Sequence, residues 1–203
     1  QLDILKAMLA KHPGQVVLGM EMFNTEQQNA LDRWVAGAFS EKEFLRESRW
    51  FENWGMDFGL YSELLEFSRE QQIPVIGLNV PKALGRKVSM TPLDQLDREI
   101  RDQLPEMDMS DPYQRLMIEK IFGAHGAGAA MLESFLRRQT LWDEAMAATV
   151  ADYMQDHPDK HMVIIAGGWH VRYGFGIPRR VHRRLPIPYV LVGEHNLVIA
   201  DEK

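Results

Sequence analysis

Three short apolar runs, each set between helical stretches, constrain this chain more than any other feature. They are Val16-Val17-Leu18-Gly19-Met20-Glu21-Met22-Phe23, Ile73-Pro74-Val75-Ile76-Gly77-Leu78-Asn79 and Met162 to Ala166. Runs of this length bounded by turn residues read as buried strands. The segments between them are longer and amphipathic, so strands alternate with helices along the chain. That order predicts an α/β fold with a mainly parallel central sheet flanked by helices. Pro188 to Gly193 reads as a last strand, and no internal repeat is visible.

The helical segments carry their own punctuation. Leu2, Leu5 and Leu9 recur at helical spacing until Pro13-Gly14 stops them. Asn24 or Thr25 can cap a helix whose apolar face is Leu31, Trp34 and Val35, and Gly37 ends it. Ser40 with Glu43 has the spacing of a capping box. Trp50 to Tyr61 packs five aromatic residues into twelve positions; it reads as a core plug or as the wall of a pocket. From Thr91 to Met109 the text is polar and predicts a surface helix and loop. Tyr113 to Phe122 and Met131 to Gln155 predict two further helices. Gly123-Ala124-His125-Gly126-Ala127-Gly128 forms an elbow between them that presents His125.

With 203 residues, 45% hydrophobic and 26% charged, the chain has the size and make-up of a single globular domain. The helical insertion spans about residues 80–135. A net charge of −6 argues against nucleic acid as a partner, because phosphate affinity needs clustered positive charge. No cysteine is present, which excludes disulfides, thiolate nucleophiles and Cys-ligated metals. No apolar run approaches the roughly 20 residues of a membrane span.

Two places carry candidate chemistry. Glu21 sits inside an apolar run, where an unpaired carboxylate is costly, so the strand end opens into a polar cleft, finds a partner or reaches solvent. The third run leads straight into Gly167-Gly168-Trp169-His170-Val171-Arg172-Tyr173, where glycines let the chain turn sharply beyond a strand's carboxyl end. Glu21 and His170 follow separate strands and can meet at one sheet edge. No HExxH spacing, GxSxG elbow or dinucleotide fingerprint is present. Haem requires an axial donor, an apolar wall and cations for its propionates. His170 and Tyr173 stand three apart with Trp169 and Phe175 alongside, and Arg179, Arg180, Arg183 and Arg184 follow. Gln139 and Asp143, four apart, share one face of the long helix.

These residues also resemble a known family. Gly19-Met20-Glu21-Met22-Phe23 with Gln27-Gln28 and Leu31-Asp32, Ile73 to Asn79 with Pro81, Trp142 to Ala147, Gly167 to Val171 and Gly176-Ile177-Pro178 resemble, in order, the ChaN-like haem-binding uptake proteins. That family is similar in fold to the Tiki, TraB and erythromycin-esterase group. The resemblance implies a bacterial cell-envelope protein of iron and haem acquisition, an outer-membrane lipoprotein tied to the membrane only by a lipid anchor. It implies ferric haem held by a tyrosine between the two subunits of a homodimer, with histidine assisting and other envelope haem-uptake proteins as partners. On this chain Tyr173 is the first candidate for the iron and Tyr61 the second. His125, Arg179 and Arg180 are further haem contacts, and His170 joins Glu21 at the sheet edge. Family members open with a strand ending in Gly-Glu-x-His, and Gln1 already lies in the helix that follows it, so that strand and the leader are expected to be missing from this sequence. Two other readings remain open: a metal-dependent hydrolase using Glu21 and His170, and a partner-binding scaffold whose interface is Trp50 to Tyr61.

Overall fold

The computed structural model of the chain describes residues 1–123 and 128–193. His125 lies outside the described residues. The elements run α1 (Leu2–Lys11), β1 (Val16–Asn24), α2 (Gln28–Val35), α3 (Glu41–Glu47), α4 (Trp50–Asn53), α5 (Gly59–Glu70) and β2 (Val75–Asn79). Then come α6 (Lys82–Met90), α7 (Arg98–Arg101), α8 (Pro112–Gly123), α9 (Ala129–Asp156), β3 (His161–Ile165), α10 (Gly168–Val171) and α11 (Ile177–Arg184). The three strands form one parallel sheet in the order β2-β1-β3. Leu18 pairs with Val75 on one side and with Val163 on the other. All nine residues of β1 are buried, as expected for a central strand covered on both faces.

The pleat divides the apolar residues between two cores. Leu18, Met20, Val75, Val163 and Ile165 face the helices α1 to α5. There Trp34, Phe44, Trp50 and Phe58 stack in an aromatic cluster, with ring centroids 4.7 Å apart for Trp34 and Phe44 and 5.3 Å for Trp50 and Phe58. Trp50 to Tyr61 is therefore chiefly a core plug, with Trp50, Phe58 and Tyr61 buried. The capping box of Ser40 and Glu43 is present at the start of α3. On the opposite face Ile76, Leu78, Met162 and Ile164 meet Met146 and Val150 of α9 and Ile177 and Val181 of α11. Gly19 points to that face, where a Cβ would lie 3.0 Å from Met162 Sδ and 3.1 Å from Leu78 Cδ1.

Two expectations need correction. Pro188 to Gly193 is not a strand; it runs irregular and exposed past α11. Pro186 and Pro188 lack the N–H groups a sheet ladder uses, which breaks the pairing that the apolar run suggested. The stretch Thr91 to Met109 is more than surface. Leu96 and Ile100 pack with Leu84 and Val88 of α6 and Leu141 of α9 in a third small core.

A charged knot ties α11 to α9. Glu144, fully buried, lies 3.1 Å from Arg180 Nε, 3.0 Å from Arg183 Nη2 and 2.7 Å from Arg184 Nη1. The Asp108 amide also donates to it, at 3.1 Å. The dense arginine run is thus largely spent inside the fold.

Candidate functional site

Because Val17, Gly19 and Glu21 share the α9 face of β1, the pleat delivers Glu21 to the carboxyl end of the sheet beneath α9. β3 ends beside it, and the chain turns at Gly167 into α10. Glu21 Oε2 accepts a hydrogen bond from the Gly167 amide at 2.6 Å, and Glu21 Oε1 stands 3.2 Å from His170 Nε2. On the other side of the ring, His170 Nδ1 is 2.6 Å from Asp143 Oδ1 of α9. The Gln139 carboxamide lies 3.0 Å from the same nitrogen, and the Trp142 ring meets the imidazole edge-on at 6.0 Å between centroids. His170 is 6% exposed, so this is a buried imidazole clamped between two carboxylates.

The electrostatics follow from that clamp. Burial alone would push the His170 pKa down, but hydrogen bonds to Asp143 and Glu21 and their charges outweigh it and raise the value to about 10. Burial likewise disfavours the Glu21 carboxylate, yet the hydrogen bond and charge of His170 and the Gly167 amide bring its pKa below the usual value. Burial raises the pKa of the Asp143 carboxyl, against the opposing pull of His170, Arg180 and Gln139. At neutral pH His170 is an imidazolium with both nitrogens donating, leaving no lone pair for a proton or a metal.

The network continues past Asp143. Its second oxygen accepts from Gln114 Nε2 of α8 at 2.6 Å, and Gln114 Oε1 accepts from Arg180 Nη2 at 2.7 Å and from Thr140 Oγ1 at 3.2 Å. The buried clamp therefore connects to α8 and, through Arg180, to the Glu144 knot.

Above the clamp the chain makes a compact turn. Tyr173 has φ 55° and Gly174 φ 75°, and Tyr173 is 72% exposed. A left-handed conformation costs a non-glycine residue roughly 1–2 kcal/mol. Such strain at an exposed aromatic residue is the kind found at ligand sites. At Gly176 a Cβ would lie 2.2 Å from the His170 carbonyl oxygen, so only glycine fits. Gly176→Ala is expected to displace the turn and lower stability by more than about 2 kcal/mol, read by chemical denaturation.

This turn forms one wall of a groove of about 400 Å³. Trp169, Arg172, Tyr173 and Phe175 line that wall, and Tyr113, Leu116, Met117 and Lys120 of α8 line the other. Tyr113 and Phe175 stack across it, with centroids 5.3 Å apart and planes at 25°. Arg172 lies 5.2 Å from the Trp169 ring and 5.8 Å from the Tyr173 ring. Among the described contacts, none is a hydrogen bond to the Tyr173 phenol and none is an ion pair of Lys120 or Arg172.

The sequence candidates are thus sorted by location. Glu21 and His170 meet, in the buried clamp rather than in an open cleft. Tyr173 lies in the groove. Arg179 stands beside it, 5.7 Å from the Tyr113 ring and 3.3 Å from Asp111. Arg180 is buried and committed to Glu144 and Gln114. Tyr61 is in the aromatic core, its phenol 3.3 Å from Trp54 Nε1 and 3.5 Å from Met56 Sδ, and the structure does not bring it to the groove. Sequence reasoning missed Gln114 and the whole α8 wall. The available signal was Gln114 itself, a polar residue on the same helix face as Ile118, and both are buried. No set of three or more His, Asp or Glu residues that could hold a metal ion occurs among the described residues.

In parallel α/β sheets, the space beyond the carboxyl ends of the strands, where this aromatic groove lies, is the usual place for a ligand. The sequence matches, over residues 1–181, the haem-binding uptake family of the Tiki superfamily, ChaN, and the chain belongs to that family. A solved structure of cofacial heme binding to ChaN of Campylobacter jejuni is similar in fold, with a TM-score of 0.67 and 14% identity. The similarity covers 89% of this chain and 68% of that one. A search of curated proteins gives no match.

Proposed function

We propose that this chain binds ferric haem in the groove between α8 and the turn after β3, with Tyr173 as the axial donor. The observation that carries the reading is Tyr173 itself: an exposed phenol, held in a strained conformation, at an apolar groove flanked by Arg172 and Lys120. The residues present fit the group. The faces of Trp169, Tyr113 and Phe175 offer a wall for the macrocycle, and the two cations suit propionates. Bound haem supplies a ferric iron that accepts a hard anionic oxygen donor. Ligation through the phenolate displaces its proton, so affinity rises with pH.

The groove is open, which leaves one haem face for a second copy of the chain to cover; this supports a haem-bridged homodimer. Membership of a haem-binding uptake family supports a place in bacterial iron and haem acquisition at the cell envelope, on a lipid-anchored outer-membrane protein that passes haem to or from other uptake proteins. Arg179, partly satisfied by Asp111, is the outer cation of the same site. His170 and Glu21 serve by holding the turn. The hydrolase alternative would use Glu21 and His170, which do meet, but both nitrogens of that histidine already face carboxylates.

Haemin titration followed by Soret absorbance, with mass determination of the free and loaded species, tests the reading. Trp169→Ala is expected to weaken binding about tenfold, equal to about 1.4 kcal/mol. Unchanged affinity in Trp169→Ala and in Leu116→Glu, which puts a negative charge into the groove, would move haem elsewhere on the protein.

A further inference from the structure

The two walls of the groove come from distant parts of the chain, α8 and the turn after β3, and two buried side chains join them: Arg180 donates to the Phe175 carbonyl and to Gln114 Oε1, both at 2.7 Å, and Asp143 spans His170 and Gln114. Asp143 Oδ1 faces His170, whose backbone belongs to the turn that carries Trp169, Arg172, Tyr173 and Phe175. Asp143 Oδ2 accepts from Gln114, whose helix carries Tyr113, Leu116, Met117 and Lys120. Both contacts are 2.6 Å, and Asp143, Gln114 and His170 are all buried. Asp143 is rooted in the middle of α9, which packs on the sheet.

We propose that Asp143 is the positioning residue of the groove: its carboxylate, which holds one wall with each oxygen, sets their separation and register, and the Arg180 bridge alone does not. A carboxylate suits that task because each oxygen can accept a separate hydrogen bond in a fixed plane. The connection to α8 is directional. Gln114 must keep its oxygen towards Arg180 Nη2 and Thr140 Oγ1, so its amide nitrogen is the end available to Asp143. An asparagine at position 143 keeps the volume but offers one oxygen and one amide. It can satisfy His170 or Gln114, and turning Gln114 over to recover the lost bond sacrifices its contacts to Arg180 and Thr140. Asp143 touches no ligand; it acts through Gln114 and His170.

The part of the proposal that concerns ligand rests on the haem reading above, so the test separates the two. The chain contains no cysteine, and exposed Lys120 and Arg172 sit on opposite walls. Spin labels at Lys120→Cys and Arg172→Cys in the ligand-free full chain report the wall-to-wall distance by pulsed dipolar spectroscopy. Asp143→Asn is expected to broaden and shift that distribution while circular dichroism stays native. In the unlabelled background the same substitution weakens haemin binding about 10–100-fold, the usual effect of losing an outer support of a metal site. Should Asp143→Asn fail to fold, Gln114→Met removes the α8 connection alone and is read the same way.

A native distance distribution in the folded variant overturns the proposal, whatever happens to haemin. A broadened distribution with unchanged haemin affinity supports Asp143 as the positioning residue and overturns the assignment of haem to this groove.

Discussion

Tyr173→Phe is expected to weaken haemin binding by at least about 100-fold, a loss of about 2.8 kcal/mol. The ring of phenylalanine keeps the apolar contact with Phe175, at 5.8 Å between centroids, so the loss isolates the phenolate. The visible spectrum should change with it, because the anionic oxygen donor is gone. Tyr173→Gly adds a second, opposite effect. Glycine adopts φ near 55° without steric cost, so the ligand-free protein should gain roughly 1 kcal/mol of stability while haemin binding is lost. Stability and binding moving in opposite directions is the signature of strain retained for function. A Tyr173→Gly variant that is less stable than the parent would mean that the phenol supports the fold instead.

His170→Leu is expected to cost about 3–5 kcal/mol, because it leaves two buried carboxylates, Glu21 and Asp143, facing each other without a cation. Its effect on pH dependence is more diagnostic than the loss itself. The folded-state pKa of His170 is raised from 6.5 to about 10, so its contribution is fully present below pH 6.5 and declines as pH rises through about 10. The Glu21 pKa is lowered from 4.5, so its contribution is present above that value and fades as pH falls through the depressed one. The contributions of His170 and Glu21 are therefore both full only in mildly acidic solution, above pH 4.5 and below pH 6.5. In His170→Leu the decline across pH 6.5–10 should disappear from a series of chemical denaturation curves. A parent protein whose stability is flat over that range would show that the imidazole is not held as a cation.

The parallel sheet was legible because its three strands announce themselves as apolar runs, and the pairing of Glu21 with His170 because both follow strands that turn out to be neighbours. The resemblance pointed to Tyr173 and the fold leaves it free at a groove. The parts that were not legible are those set by long-range contacts. Nothing in the run of four arginines says that Arg180, Arg183 and Arg184 converge on Glu144, since the partner lies more than thirty positions away. The aromatic content of Trp50 to Tyr61 is the same for a pocket wall and for a core plug. Only packing against Phe23 and Phe44 decides between them, and it takes Tyr61 with it. Asp143 was visible as an acid on the same helix face as Gln139. That one of its oxygens would reach α8 depended on how α8 packs against α9, which no local pattern encodes. The apolar stretch from Pro188 failed as a strand for the converse reason: the local pattern was apolar, and its prolines outweighed that.

Haem iron is proposed to meet the phenol of Tyr173 in the groove between α8 and the turn after β3. Anomalous diffraction at the iron edge, on crystals of the haemin complex, addresses it most directly. An iron peak is expected at coordination distance from Tyr173 Oη, with the macrocycle against Trp169 and with Glu21, His170 and Asp143 still joined beneath it. Iron beside His170 or Glu21, or a peak remote from Tyr173, would contradict it.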